Sequence, residues 1–236
     1  CALSRIGRKF PALQKKLVPV FLEHYHNAEV KTEVKWGILI GLGRMAQASA
    51  TLRRNSCRLL FNAIAEGNFR LKWAAIKALC HACCVVGNVE RDLEFEEKVF
   101  SVGCHLFFEE NHKKVDPKQD LYKVEEFYRV QYGTMQGFGL LLRSDPESWW
   151  PKLSPIFAEA LTSSRIASIV KASVMLNLGK VTAYMEESSP YFQSIKNILF
   201  ELSSYDNILV SEPACYALVN TSLIHKDLIP KVRALL

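Results

Sequence analysis

Apolar and polar positions follow the same order in five ten-residue stretches of the chain. Counting the first residue of each stretch as position 0, positions 0, 4, 5 and 8 fall on one face of a helix, and positions 0 and 8 are apolar in every copy. The pattern predicts five amphipathic helices. The stretches are VKWGILIGLG from Val34, LKWAAIKALC from Leu71, VQYGTMQGFG from Val130, VKASVMLNLG from Val170 and VSEPACYALV from Val210, with offsets of 37, 59, 40 and 40 residues.

Two columns of this repeat hold mostly small residues. Glycine inside a helix costs about 1 kcal/mol relative to alanine, so recurring glycines need a structural reason. Positions 3 and 7 lie one turn apart, and we expect another helix to approach closely along them. Position 3 holds Gly37, Ala74, Gly133, Ser173 and Pro213, and position 7 holds Gly41, Ala78, Gly137, Asn177 and Ala217.

A second helical segment precedes each of these stretches. LVPVFLEHYHN from Leu17 and LSPIFAEALTSS from Leu153 share a Leu-x-Pro and then apolar residues at helical spacing. Their prolines, Pro19 and Pro155, each lie 15 residues before the following Val34 or Val170. Each unit of the repeat is therefore predicted to be two antiparallel helices, a first helix and a second helix.

The Leu-x-Pro of the first helix and the Val…Leu-Gly of the second resemble the HEAT repeat of the armadillo-like superfamily. The resemblance implies an all-α fold, an α-α superhelix of about five helix pairs and a partial one, whose second helices line the concave face. We expect residues 1–236 to form a single solenoid segment of a longer chain, with second helices starting near 34, 71, 130, 170 and 210.

Three departures from the repeat carry their own expectations. Residues 109–126 are a polar insertion, predicted to be a long loop that is either functional or merely solvated. Ser211 and Pro213 suggest that the last second helix starts late, with Ser211 as its N-cap. The segment LIPKVRALL from Leu228 reads as a further first helix with no second helix after it.

The charge is distributed unevenly. Residues 1–87 hold 14 Lys and Arg against 4 Asp and Glu, a balance of +10, whereas the remainder holds 16 against 20, a balance of −4. Such asymmetry bears on partners rather than on the fold.

Position 1 of the second helices forms a lysine column of Lys35, Lys72 and Lys171. It is either a recognition surface for an acidic peptide or phosphates, or a structural ladder in which each lysine bonds to the adjacent turn. Trp36 and Trp73 share position 2, and they either pack together or stand exposed for stacking on a ligand. The remaining candidate partner-binding residues are Arg53, Arg54, Arg58, Arg70 and Lys77.

No motif for catalysis, cofactor binding or metal binding is evident. The cluster Cys80, His81, Cys83 and Cys84 lacks the second, distant ligand pair of a zinc site. The glycines of GTMQGFG fall in the small columns rather than after a strand, which disfavours a nucleotide-binding loop. We therefore expect no enzyme activity, no cofactor and no metal.

The expected function is a non-enzymatic scaffold or adaptor segment that binds protein partners within a larger complex. The alternative is a nucleic-acid-binding module that uses the basic residues 1–87. Seven cysteines without a disulfide framework, and no secretory signal, favour the cytoplasm or the nucleus. No apolar run is long enough for a membrane span, so no membrane insertion is expected.

Overall fold

The computed structural model describes residues 2–66, 68–112 and 121–235, without the side chains of 2, 11, 109–112 and 121–127. These residues form an all-helical fold with twelve α-helices and one short 3-10 turn, Lys226–Leu228. The helices are α1 Ala2–Lys9, α2 Pro11–His26, α3 Thr32–Ala46, α4 Ala50–Ala65, α5 Phe69–Cys83, α6 Leu93–His112, α7 Leu121–Ser144, α8 Pro146–Thr162, α9 Ser168–Thr182, α10 Pro190–Ser203, α11 Ile208–Ser222 and α12 Ile229–Arg233.

The predicted second helices are α3, α5, α7, α9 and α11. Four of them begin two residues before position 0 of the repeat, and α7 begins earlier, at Leu121. Side-chain caps fix two of these starts. The Asn68 side chain accepts hydrogen bonds from the Arg70 and Leu71 amides at α5, and Asn207 accepts one from the Leu209 amide at α11.

The apolar face of the repeat is the core. Position 8 is fully buried in every copy, as the pattern predicts, and position 5 is fully buried in the first four copies. First helices contact the second helices that follow them: α2 packs on α3, α4 on α5, α8 on α9 and α10 on α11. The position-8 residues are Leu42, Leu79, Phe138, Leu178 and Leu218.

The chain divides into two compact units, residues 1–138 and 139–236, and the division falls within α7. In unit 1, α3 packs most extensively on α5, and in unit 2, α9 packs most extensively on α11. Each unit has a core of its own. Leu39, Leu60 and Ile76 are among the fully buried side chains of unit 1, and Val174 and Ile195 among those of unit 2.

Three local features differ from the sequence prediction or extend it. Helix α1 was not predicted, and it packs on α3. Asn207, not Ser211, caps α11, and Pro213 lies inside that helix. Pro213 is the sixth residue of α11, beyond the first turn, so it removes one backbone hydrogen bond of that helix. The segment from Leu228 forms only the short α12, in which Val232 is buried.

The predicted insertion falls largely outside the described residues. Residues 113–120 are not described, while α6 continues to His112 and α7 begins at Leu121. The prediction of a functional or merely solvated loop therefore stays a prediction. In the described part of the chain, no helix has both the length and the apolar composition needed to cross a membrane.

Candidate functional site

Close helix contacts recur between position 9 of one second helix and position 7 of the next. In unit 1, a methyl group added to Gly43 would lie 2.6 Å from the Cα of Ala78, and one added to Gly137 would lie 2.7 Å from the Cys80 sulfur. In unit 2, a methyl group on Gly179 would lie 2.5 Å from the Cβ of Ala217. A methyl group added to Gly139, at position 9 of α7, would likewise clash with the side chain of Asn177, at position 7 of α9.

This register corrects the prediction for position 3 at Gly37, whereas Gly133, at the same position, does lie against Trp73 of α5. A methyl group built on Gly37 would meet no atom within 4 Å, so that glycine does not serve a close helix contact. Gly41, at position 7, faces the Phe21 ring at 3.1 Å and the Cβ of Ser4 at 3.5 Å. The sequence pattern identified position 7 but missed position 9, where Gly43, Gly139 and Gly179 recur.

The two tryptophans at position 2 pack against each other. The rings of Trp36 and Trp73 have their centroids 4.6 Å apart and are tilted by 34°. Trp73 also covers Gly133, where an added methyl group would lie 2.7 Å from the indole nitrogen. The Lys77 ammonium lies 5.5 Å from the Trp73 ring centre. Both rings are partly buried, so the packed alternative describes them better than two exposed stacking platforms.

The lysine column is partly exposed in both units. Lys35 lies 5.9 Å from the ring centre of Tyr25. The ammonium groups of Lys72 and Lys171 make no hydrogen bond or ion pair with any described residue. The structural ladder of lysine-to-carbonyl bonds is therefore not formed at these two positions, and their charges are open to an external anion.

The other predicted basic residues separate into buried, paired and exposed side chains. Arg53 is only 4% exposed and donates from Nη2 to the Glu90 carbonyl oxygen at 2.9 Å, so it is a core residue and not a surface contact. Arg70 forms an ion pair with Glu33, and Lys77 donates to the Gln136 side chain at 2.7 Å. The exposed members of the set, without such partners in the described structure, are Arg54 and Arg58.

Unit 2 carries an apolar groove that the sequence pattern did not single out. The groove has a volume of about 600 Å³ and lies between α9 and α11, where Leu176, Pro213, Tyr216 and Val219 line it. Tyr216 is 60% exposed and Glu212 stands at the edge. Two residues mark this groove in the sequence. Pro213 stands at position 3, where the other copies have small residues, and the exposed Tyr216 follows it. The groove can accept an apolar side chain of a partner.

The cysteines of the described residues form no disulfide with one another. Burial raises the pKa of Cys57 and Cys104 to about 11, and it raises the pKa of Cys80 and Cys83 well above the usual value. These thiols are therefore protonated at neutral pH and weakly nucleophilic. No group of three His, Cys, Asp or Glu side chains among the described residues could hold a metal ion.

The comparisons with known proteins add no family to this description. The chain matches no protein-family model, no curated protein and no solved structure. The class of protein is thus defined by the fold alone: an all-helical protein in which neighbouring helices pack at close range.

Proposed function

We propose that this chain is a non-enzymatic scaffold segment of a HEAT or armadillo-like superhelix, and that it binds partner proteins in the cytoplasm or nucleus. One observation carries the proposal: the packing of α3 on α5 recurs in the packing of α9 on α11, with the same repeat positions in contact. Helical-repeat proteins stack such units to present extended surfaces, which suit elongated peptides and helices.

The surfaces of the two units support a protein partner. Unit 1 offers exposed or partly exposed cations at Lys35, Lys72, Arg54 and Arg58. Unit 2 offers the apolar groove beside Tyr216. Protein interfaces combine apolar contacts with a polar rim, and both kinds of surface are present in this chain.

The charge of residues 1–87 favours nucleic-acid binding as a second candidate. The balance of +10 would attract phosphates, and Arg54 and Arg58 are exposed to meet them. Aromatic side chains that bind single strands stack on bases, however, and Trp36 and Trp73 instead stack on each other. This observation makes the protein-binding proposal the stronger one.

The test is a pull-down from nuclease-treated lysate, with the captured protein identified, produced recombinantly and titrated against the chain. A parallel bait carries Lys35→Glu, Lys72→Glu, Arg54→Glu and Arg58→Glu. Arg53 stays unchanged, because a buried glutamate there would unfold the protein.

A purified partner that binds the wild-type chain directly supports the scaffold proposal, and weaker binding by the parallel bait places the partner on the basic surface. Capture of nucleic acid alone, with an affinity that falls steeply as salt rises, would replace it by the second candidate.

A further inference from the structure

Helix α1 places two arginines beside a third one on α3. Three contacts show that the helices run side by side: Ser4 lies near Gly41, Gly7 against Met45, and the Arg8 Nη1 donates to the Gln47 side chain at 3.2 Å. The Gln14 side chain ties them together by donating to the Gly7 carbonyl oxygen at 3.0 Å and to the Met45 carbonyl oxygen at 3.4 Å. This arrangement brings Arg5 and Arg8 close to Arg44, and we call the three residues the arginine cluster.

The arginine cluster carries uncompensated positive charge. Partial burial lowers the pKa of the Arg44 guanidinium, and the positive charges of Arg5 and Arg8 lower it further. None of the three forms an ion pair with a carboxylate of the described residues. Two of the four glutamates in residues 1–87 are engaged elsewhere, since Glu33 pairs with Arg70 and Glu66 accepts from Tyr25 at 3.4 Å. Like charges gathered without a counter-charge favour the binding of an anion.

We propose that Arg5, Arg8 and Arg44 form a binding site for the carboxylates of an acidic segment of a partner protein. This inference rests on the proposed scaffold function and names the chemistry of the partner. Each guanidinium presents a planar fork of donors that matches a carboxylate, and such charge-assisted bonds are stronger than neutral ones. The site lies outside the lysine column and outside the predicted basic residues.

The surroundings favour a protein segment over other anions. Leu3 is 52% and Ile6 is 42% exposed on the same helix as Arg5, so apolar side chains stand beside the cations. Such a surface suits a segment that alternates carboxylates with apolar residues. Proteins that bind a nucleic-acid backbone usually have cations spread along a groove. The three guanidinium groups of the arginine cluster instead lie within about one turn of two adjacent helices, α1 and α3.

The experiment measures binding of a fluorescent peptide, ELEELLEELE, to the full chain by anisotropy, with QLQQLLQQLQ as the uncharged comparison. The test variant carries Arg5→Gln, Arg8→Gln and Arg44→Gln. The matched control carries Lys31→Gln, Arg165→Gln and Lys180→Gln, which remove the same charge from exposed positions outside the candidate surfaces. Circular dichroism and the urea midpoint establish that both variants fold as the wild type does.

We expect the test variant to bind the acidic peptide about tenfold more weakly, or worse, because charge-assisted bonds are lost. The control should stay within about threefold of the wild type, since exposed charges contribute little individually. An equal loss in both variants would overturn the inference by showing only general attraction. Tighter, cluster-dependent binding of duplex DNA or of phosphatidylglycerol vesicles, which carry phosphates without carboxylates, would overturn the inference and indicate a phosphate site instead.

The same variants separate this inference from the scaffold proposal. A purified protein partner that binds the cluster variant as tightly as the wild type would overturn the inference and leave the scaffold function standing. Binding of the peptide through the cluster, with no protein partner captured from lysate, would overturn the scaffold function and leave the carboxylate site in place.

Discussion

The α3–α5 contact of unit 1 and the α9–α11 contact of unit 2 use the same backbone approach with different surroundings. In both, a glycine at position 9 meets an alanine at position 7 of the next second helix, Gly43 on Ala78 and Gly179 on Ala217. Unit 1 flanks this contact with the packed rings of Trp36 and Trp73.

In unit 2, polar groups lie beside the α9–α11 contact. The buried hydroxyl groups of Thr182 and Thr221 lie 2.9 Å apart, and Thr221 also donates to the Gly179 carbonyl oxygen at 3.3 Å. His225 lies 3.0 Å from both Glu187 and the Thr182 carbonyl oxygen. The comparison teaches that the same glycine–alanine contact forms beside apolar neighbours in unit 1 and beside polar neighbours in unit 2.

The largest effect on stability is expected from Gly43→Ala, which alters the α3–α5 contact of unit 1. The new methyl group would press on the backbone of Ala78, which cannot move aside as a flexible side chain can, so we expect a loss of about 3 kcal/mol or more in the free energy of unfolding. Urea unfolding followed by circular dichroism measures it.

Gly37→Ala is the matched control for that substitution, on the same helix. It has room for the methyl group and gains helix propensity, so we expect it to be neutral or stabilising by up to about 1 kcal/mol. Equal midpoints for the two variants would show that the register of α3 on α5 is wrong.

Gly179→Ala tests the same contact in unit 2. Its methyl group would meet the Cβ of Ala217 at 2.5 Å and the Cα at 2.8 Å, so we expect a loss of about 2 kcal/mol. Ala217→Gly removes one of these two obstacles and should restore part of the stability in the double variant. Strictly additive effects of the two substitutions would contradict a direct contact.

The aromatic flank of unit 1 is tested by Trp73→Ala. Loss of this partly buried ring should cost about 2 kcal/mol, less than for a fully buried tryptophan. Gly133→Ala should destabilise the wild type, because Trp73 occupies the space, and should be tolerated once Trp73 is alanine. Thermal unfolding of the wild type, the two single variants and the double variant measures this coupling. An equal loss of stability from Gly133→Ala with and without the Trp73 ring would argue against the ring contact.

The polar flank of unit 2 should matter less. Thr221→Val keeps the shape but removes the hydroxyl group that faces Thr182 and the Gly179 carbonyl oxygen, so we expect a loss of about 1 kcal/mol. Thr162→Val, at an exposed hydroxyl group on α8, is the control and should change stability by less than about 0.5 kcal/mol. The prediction fails if both variants unfold alike.

A pH-dependent prediction concerns a loss of stability at alkaline pH that arises from Tyr25 in unit 1. Burial, together with the negative charge of Glu66, raises the pKa of Tyr25 from 10.0 to about 12. The unfolded chain therefore releases this proton at lower pH than the folded chain, so the contribution is complete below pH 10 and is lost between pH 10 and 12. Tyr25→Phe should flatten the fall of the urea midpoint in that range, and an unchanged slope would refute the shift.

Helix positions and the buried face could be predicted because both depend on local periodicity. Leu42, Leu79, Phe138, Leu178 and Leu218 are all buried at position 8. Periodicity has limits even here, since Val34 at position 0 is 50% exposed. No periodic signal marked α1, whose eight residues are too few to show a repeat.

The candidate site could be predicted only in part. The pattern found Lys35, Lys72 and the exposed Arg54, but it also placed Arg53 on the surface, where the structure buries it against Glu90. It missed Arg5 and Arg44, because their proximity depends on how α1 lies along α3. Net charge can be counted along a sequence, whereas a cluster of charges requires segments distant in the sequence to meet.

The sequence by itself determined that this protein is helical, where four of the five second helices begin and which face of the second helices is apolar. These properties follow from residues within a few turns of one another, and local patterns carry them. Only the tertiary structure decided that position 9 meets position 7, that Gly37 has open space beside it, and that three arginines share one surface. Such facts depend on the distance and register between packed helices, which side chains tens of residues apart set together.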